Sequence, residues 1–135
     1  MTFVDSNVLL DLLTSNARWG DWSASAIESA AADGALLIND IVYAELAVGF
    51  PTIESLDRFI ADVELRIAPM PRSALYLAAK AHLRYRQSGG TRTGVLPDFF
   101  IGAQAAVSEA ALLTRDARRF RTYFPTIEII SPDMD

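Results

Sequence analysis

Short apolar runs alternate with longer amphipathic stretches along the 135 residues. Thr2–Val4, Leu36–Ile38, Arg66–Ala68, Ala111–Leu113 and Ile127–Ile130 are too short for buried helices, and their flanking turn and cap residues predict strands. Between them the spacing predicts helices over Val8–Leu13, Trp19–Ala32 and Ile53–Val63, the last with Leu56, Phe59, Ile60 and Val63 on one stripe. Asp33-Gly34 stops the second of these, and Asn39 caps a helix running to Val48, ended by Gly49 and Pro51. Further helices are predicted over Ser73–Arg86, from Pro97 to Ser108, and over Ala117–Tyr123, with a loop at Gln87–Val95. Strands alternating with helices predict a parallel sheet covered on both faces. The expected fold is a single three-layer α/β/α domain over residues 1–135, with four to five short central strands. Such sheets bind ligands in the crevice at the strands' carboxyl ends.

Composition narrows the chemistry available to that crevice. There is no Cys and a single His82, so thiol catalysis, disulfides, Cys-zinc sites and two-His zinc sites are all excluded. The longest uncharged run, Phe99–Ser108, is half the roughly 20 residues that a membrane span needs. A soluble, cytoplasmic chain with no membrane partner is expected. The net charge of −5 speaks at first against nucleic acid. The charge is uneven, however: residues 1–67 hold 11 acids and 3 bases, and residues 68–135 hold 6 acids and 9 bases. Eleven of the twelve bases are Arg, whose planar fork suits phosphate.

Four acids stand where acids are not expected. Glu45 is the only charge in Ile41–Phe50, an almost wholly apolar helix that reads as buried, and shares a stripe with Ile41, Ala44 and Val48. Asp98 is the only charge between Thr93 and Ser108. Asp5 follows the first strand and Asp116 the strand Ala111–Leu113. Each has an ordinary reading: Asp98 and Asp116 as helix-terminal acids, Asp5 as a turn residue, Glu45 as the partner of an Arg. Taken together they converge on the strand ends, where buried carboxylates need pairing, hydrogen bonds or metal. Without His or Cys, clustered carboxylates select hard cations, Mg²⁺ or Mn²⁺.

The motifs around these acids resemble those of PIN-domain ribonucleases, specifically the VapC-type toxins of bacterial toxin–antitoxin pairs. Asp5-Ser6-Asn7-Val8-Leu9-Leu10-Asp11-Leu12-Leu13 is similar to the family's opening motif. Val42-Tyr43-Ala44-Glu45-Leu46, Leu96-Pro97-Asp98-Phe99-Phe100-Ile101 and the segment from Leu112 to Phe120 around Asp116 resemble the other three, in order, over essentially the whole chain. The Asn39-Asp40-Ile41 turn and the Gly89–Gly94 loop depart from the pattern without touching the acids.

The resemblance implies a Mg²⁺- or Mn²⁺-dependent endoribonuclease leaving 5′-phosphate and 3′-hydroxyl ends. Asp5, Asp98 and Asp116 are the implied metal ligands, and Glu45 holds or activates the attacking water. Ser6, Asn7 and Thr114 are candidates to support the carboxylates by hydrogen bonds, and Arg92, Arg115 and Arg118 are candidate RNA contacts. Asp11 reads as a surface or capping acid, and His82 as structural. The implied partners are tRNA or rRNA, a cognate VapB-type antitoxin and a second copy of the chain, with the Trp19/Trp22 face and the Ile53–Val63 helix as candidate contact surfaces.

A haloacid-dehalogenase-type phosphatase also places an Asp after its first strand. It wants a second Asp two residues later, where this chain has Asn7, and a suitably placed Lys, whereas the only Lys is Lys80 in mid-helix. A receiver domain lacks its late Lys for the same reason. A catalytically silent partner-binding module stays open on sequence alone.

Overall fold

A computed structural model describes residues 1–132, so Asp133–Asp135, the end of the expected domain, lie outside the described residues. The chain runs β1 (Thr2–Val4), α1 (Ser6–Thr14), α2 (Gly20–Asp33), β2 (Leu36–Ile38), α3 (Asp40–Ala47), α4 (Ile53–Val63) and β3 (Leu65–Ile67). It continues as α5 (Arg72–Gln87), α6 (Leu96–Val107), β4 (Ala111–Leu113), α7 (Arg118–Tyr123) and β5 (Ile129–Ile130). The five strands are all parallel, in the order β3-β2-β1-β4-β5.

This order puts β1 at the centre, with the chain leaving it to one side for β2 and β3 and to the other for β4 and β5. Phe3 and Val4 point to opposite faces of a strand, yet neither is exposed. Helices therefore cover both faces, as a three-layer α/β/α fold requires. One core of buried side chains reaches from Phe3 to Phe124 and includes Leu9, Ile38, Leu46, Leu56, Ile101 and Leu112. Local signals set the helix starts. The Asn39 side chain accepts from Val42 N at 2.9 Å, and Thr52 and Ser55 form a reciprocal capping box on α4.

Most elements fall within two residues of their expected limits; β5 is shorter, and its strand pairing covers only Ile129 and Ile130. One expectation fails. α3 is not buried all round: Val42 and Leu46 are buried and Tyr43 packs partly against the core, whereas Ala44, Ala47 and Val48 (90 % exposed) face outward. The i, i+4 pair Val42/Leu46 suffices to dock a helix of eight residues, so the stripe shared by Ile41, Ala44, Glu45 and Val48 is not the core-facing one.

Candidate active site

The carboxyl ends of β1 and β4 meet at the topological switch point, and Asp5 and Thr114 are the first residues beyond those ends. Asp5 N donates to Leu113 O at 2.9 Å, extending the sheet by one bond. The Thr114 hydroxyl donates to Asp5 Oδ2 at 2.8 Å and accepts from Asp116 N at 3.1 Å. Thr114 is wholly buried, so this one hydroxyl links two of the four acids through the floor of the crevice. Glu45 comes from α3, which follows β2, and Asp98 from the first turn of α6; the charges of both reach Asp5.

The ordinary readings do not account for all of these acids, although Asp98 does stand in the first turn of α6, where the helix dipole favours it. Asp5 occupies the N-cap of α1 in an extended conformation, but its side chain makes no capping bond there. No side chain caps α6 or α7, so neither Asp98 nor Asp116 serves as a cap. Glu45 has no arginine partner among the ion pairs of the described residues; the Ser6 hydroxyl hydrogen-bonds it instead.

Electrostatics tie the four together. Burial pushes the Asp5 carboxyl up to about 7, the charges of Asp98 and Glu45 add to the rise, and the Thr114 hydrogen bond opposes it. Burial also raises Asp98 to about 6; Arg119 opposes this, while Glu45 and Asp116 push it further up. Glu45 is raised by burial and held back by Ser6. Buried carboxylates raised in this way, with their neighbours' charges adding to the rise, form a strained anionic cluster, which an added cation relaxes.

In this structure the cation beside the cluster is a side chain. Arg119 Nη1 lies 2.6 Å from Asp98 Oδ2, with both groups partly buried. Among the described residues no three His, Asp or Glu side chains are gathered tightly enough to enclose an ion as they stand. The donor chemistry nevertheless fits a hard divalent ion: oxygen ligands only, excess negative charge, and hydroxyl support behind Asp5 and Glu45.

Of the three expected supporting residues, Ser6 and Thr114 serve carboxylates, whereas Asn7 bonds backbone. Ser6 serves Glu45, Thr114 serves Asp5, and Asn7 Oδ1 accepts from Arg115 N at 3.4 Å, tying α1 to the loop that carries Asp116. That bond also occupies the position where a dehalogenase-type phosphatase would carry its second Asp. The three expected RNA arginines separate. Arg92 and Arg118 line one cleft with Asp116. Arg115 lies elsewhere, its Nε 2.9 Å from Asp11 Oδ2 and its guanidinium carbon 5.6 Å from the centre of the Trp19 ring. This N–H is not aligned on the oxygen, so the contact is charge pairing rather than a hydrogen bond.

Asp11 is accordingly no surface acid. It is 2 % exposed and also accepts from Ser23 Oγ at 2.7 Å. It thus joins α1, α2 and the β4–α7 loop behind the site. Sequence reasoning also passed over Arg119, although its place three residues after Asp116 on an incipient helix puts the two on one side. His82 is structural, edge-on to Phe99 with ring centroids 5.3 Å apart. Trp22 packs against the core and Trp19 is half-buried under Arg18.

A hollow of about 730 Å³ lies at the other end of the sheet, lined by Thr2, Glu109, Ala111 and Glu128. It contains none of the four acids.

The description of the family model that matches residues 2–124 is "PIN domain". The chain belongs to the PIN-domain family. This PIN domain is 32 % identical over 132 residues to Ribonuclease VapC10 of Mycobacterium tuberculosis, covering 98 % of this chain and 92 % of that protein. Its fold is similar to that of VapBC2 from Rickettsia felis bound to a promoter DNA fragment, with TM-score 0.73, 17 % identity, and 96 % and 97 % of the two chains covered. It is also similar to a toxin–antitoxin complex from Klebsiella pneumoniae, with TM-score 0.65, 23 % identity and 98 % of each chain covered.

Proposed function

We propose that this PIN domain is the toxin of a toxin–antitoxin pair, a Mg²⁺- or Mn²⁺-dependent endoribonuclease acting in the cytoplasm on tRNA or rRNA. The carrying observation is the carboxylate cluster at the switch point: burial raises Asp5 to about 7 and Asp98 to about 6, with Asp98 and Glu45 adding to the first and Glu45 and Asp116 to the second. The 32 % identity to a ribonuclease supports the substrate class.

Asp5, Asp98 and Asp116 hold the ion, with Thr114 orienting Asp5. When bound, the ion polarises the scissile phosphate and makes a neighbouring water more acidic. Glu45, half-buried with a raised affinity for protons, positions the attacking water and accepts its proton. The water oxygen bonds to phosphorus as the phosphorus–3′-oxygen bond breaks in line. The leaving 3′-oxygen takes a proton from solvent, leaving a 5′-phosphate and a 3′-hydroxyl. The proposed partners are a VapB-type antitoxin and a second copy of the chain. The fold shared with structures described as VapBC2 and as a toxin–antitoxin complex supports the first of these.

The test is cleavage of total RNA by the purified protein with Mn²⁺ or Mg²⁺, with and without EDTA, beside a folded Asp98→Asn variant. Cleavage should require the ion and fall by at least about 100-fold in the variant, as for loss of a group that stabilises developing charge. Undiminished cleavage by Asp98→Asn overturns the site. Metal binding by the wild type without cleavage assigns the domain to partner binding instead. Sequencing the 5′ ends of the fragments names the RNA.

A further inference from the structure

Beside Asp116 the surface sinks into a cleft of about 290 Å³, lined by Tyr85, Arg92, Asp116, Arg118, Arg119, Thr122 and Tyr123. Three of its seven lining residues are arginines, drawn from two separate parts of the chain. Arg118 and Arg119 begin α7, while Arg92 comes from the glycine-rich α5–α6 loop. Asp116 lines the same cleft and Asp98 pairs with Arg119, so three guanidinium groups face two carboxylates and the balance is one positive charge, which an anion stabilises.

The loop is held there by a built contact. A Cβ placed on Gly90 would fall 2.5 Å from the Tyr85 ring, so the backbone lies directly against the ring and only glycine fits. Gly90 N donates to Tyr85 O at 2.9 Å, and Arg92 N donates to the Tyr85 hydroxyl at 3.2 Å. Tyr85 in turn packs against Phe99 and Tyr123, with ring centroids 5.6 Å and 6.0 Å apart. The Arg119 guanidinium carbon lies 5.6 Å from the Tyr85 ring centre, while its Nη1 holds Asp98. One tyrosine therefore fixes the loop bearing Arg92 and lies beside Arg119, and Arg119 connects the cleft to the acid cluster.

We propose that this cleft is a phosphate-binding subsite for single-stranded RNA, one step along the strand from the scissile bond. Arg92 and Arg118 grip the phosphate, Arg119 is shared between it and Asp98, and Tyr85 is the positioning residue. The proposal rests on the nuclease reading above. The volume is at the low end of the roughly 300–1,000 Å³ typical of ligand pockets, which suits one phosphate–ribose step and excludes a duplex. RNA is favoured over an acidic protein segment because the cleft is continuous with the carboxylates that would cut the strand.

The test measures fluorescence anisotropy of a labelled single-stranded decaribonucleotide with the full chain in EDTA, across a salt series. Arg92→Ala and Arg118→Ala change exposed side chains, so the fold is retained, and Arg58→Ala on α4 serves as the control. Each cleft variant should weaken binding roughly 3- to 10-fold and reduce the salt slope by about 0.7, the value of one lost phosphate contact on a single strand. Lys at either position should restore the slope, and Arg58→Ala should change neither quantity. Tyr85→Phe, which removes the acceptor of Arg92 N, should weaken binding about 2-fold at an unchanged slope.

Wild-type affinity and slope in both Ala variants overturn the subsite. So does an oligoglutamate peptide that binds as tightly as the RNA with the same dependence on Arg92 and Arg118. The two readings fail separately. Cleavage that needs Asp98 but ignores Arg92 and Arg118 removes the subsite alone. RNA binding that needs the arginines in a protein that never cleaves removes the nuclease alone.

Discussion

Replacing Asp5 by Asn should inactivate the domain and, without metal, make it more stable. The Asp5 carboxyl titrates at about 7 in the fold against 3.8 in an open chain. An acid with a raised folded value contributes stability below its unfolded value and loses it as pH rises through the folded one. Between pH 3.8 and about 7 the folded chain therefore loses stability, to a ceiling of about 4 kcal/mol at 1.36 kcal/mol per unit. Relaxation and water entry reduce such penalties, so about 2 kcal/mol is the expected size. Asn has the shape of the protonated acid and still accepts the Thr114 hydroxyl, without the charge that repels Glu45 and Asp98.

The assay is thermal unfolding of both proteins in EDTA from about pH 4 to pH 8. At roughly 4 °C per kcal/mol for a chain this long, the variant should melt about 8 °C higher near pH 8. The gap should close toward pH 4. Adding Mn²⁺ should raise the wild type and leave the variant unmoved, since only a ligand that binds the native state stabilises it. A variant that melts below the wild type near pH 8 in EDTA, or a gap independent of pH, refutes the strained cluster.

Three further outcomes are expected. Asp11→Ala leaves Ser23 without its buried acceptor and Arg115 without its counter-charge and should cost about 3 kcal/mol in urea unfolding; in a double-mutant cycle, Arg115→Ala should add much less on top of it. Gly102→Ala in α6 places a methyl 2.5 Å from the Phe124 ring and 3.1 Å from that of Phe120, so despite alanine's better helix propensity it should lose about 1–3 kcal/mol. Mn²⁺ affinity, read by calorimetry, should fall as pH drops from about 8 to 6. The buffer dependence of the heat should show more than one proton released per ion near pH 6, because Asp5 and Asp98 are both partly protonated there.

The sequence by itself determined the alternation of elements and hence the parallel sheet, because periodicity and caps act within a few residues. Asn39 and Thr52 start their helices through bonds spanning three positions, which any reader of the chain can see. It also marked the four acids, Glu45 and Asp98 as lone charges in apolar runs and Asp5 and Asp116 by their places just after strands. What only the tertiary structure decided was which groups answer one another. Thr114 meets Asp5 across 109 positions, and Arg119 meets Asp98 across 21. Asp11, Arg115 and Arg119 all carry charges that look alike along the chain. The packing of α1 on α2 buries Asp11, the loop after β4 brings Arg115 to it, and the start of α7 brings Arg119 to the acids. The Tyr85 ring under Gly90 is equally invisible in sequence, since a glycine-rich loop reads as unanchored until the ring it covers is known. Periodicity tells which face of an element turns inward; the order of strands in the sheet decides what waits there.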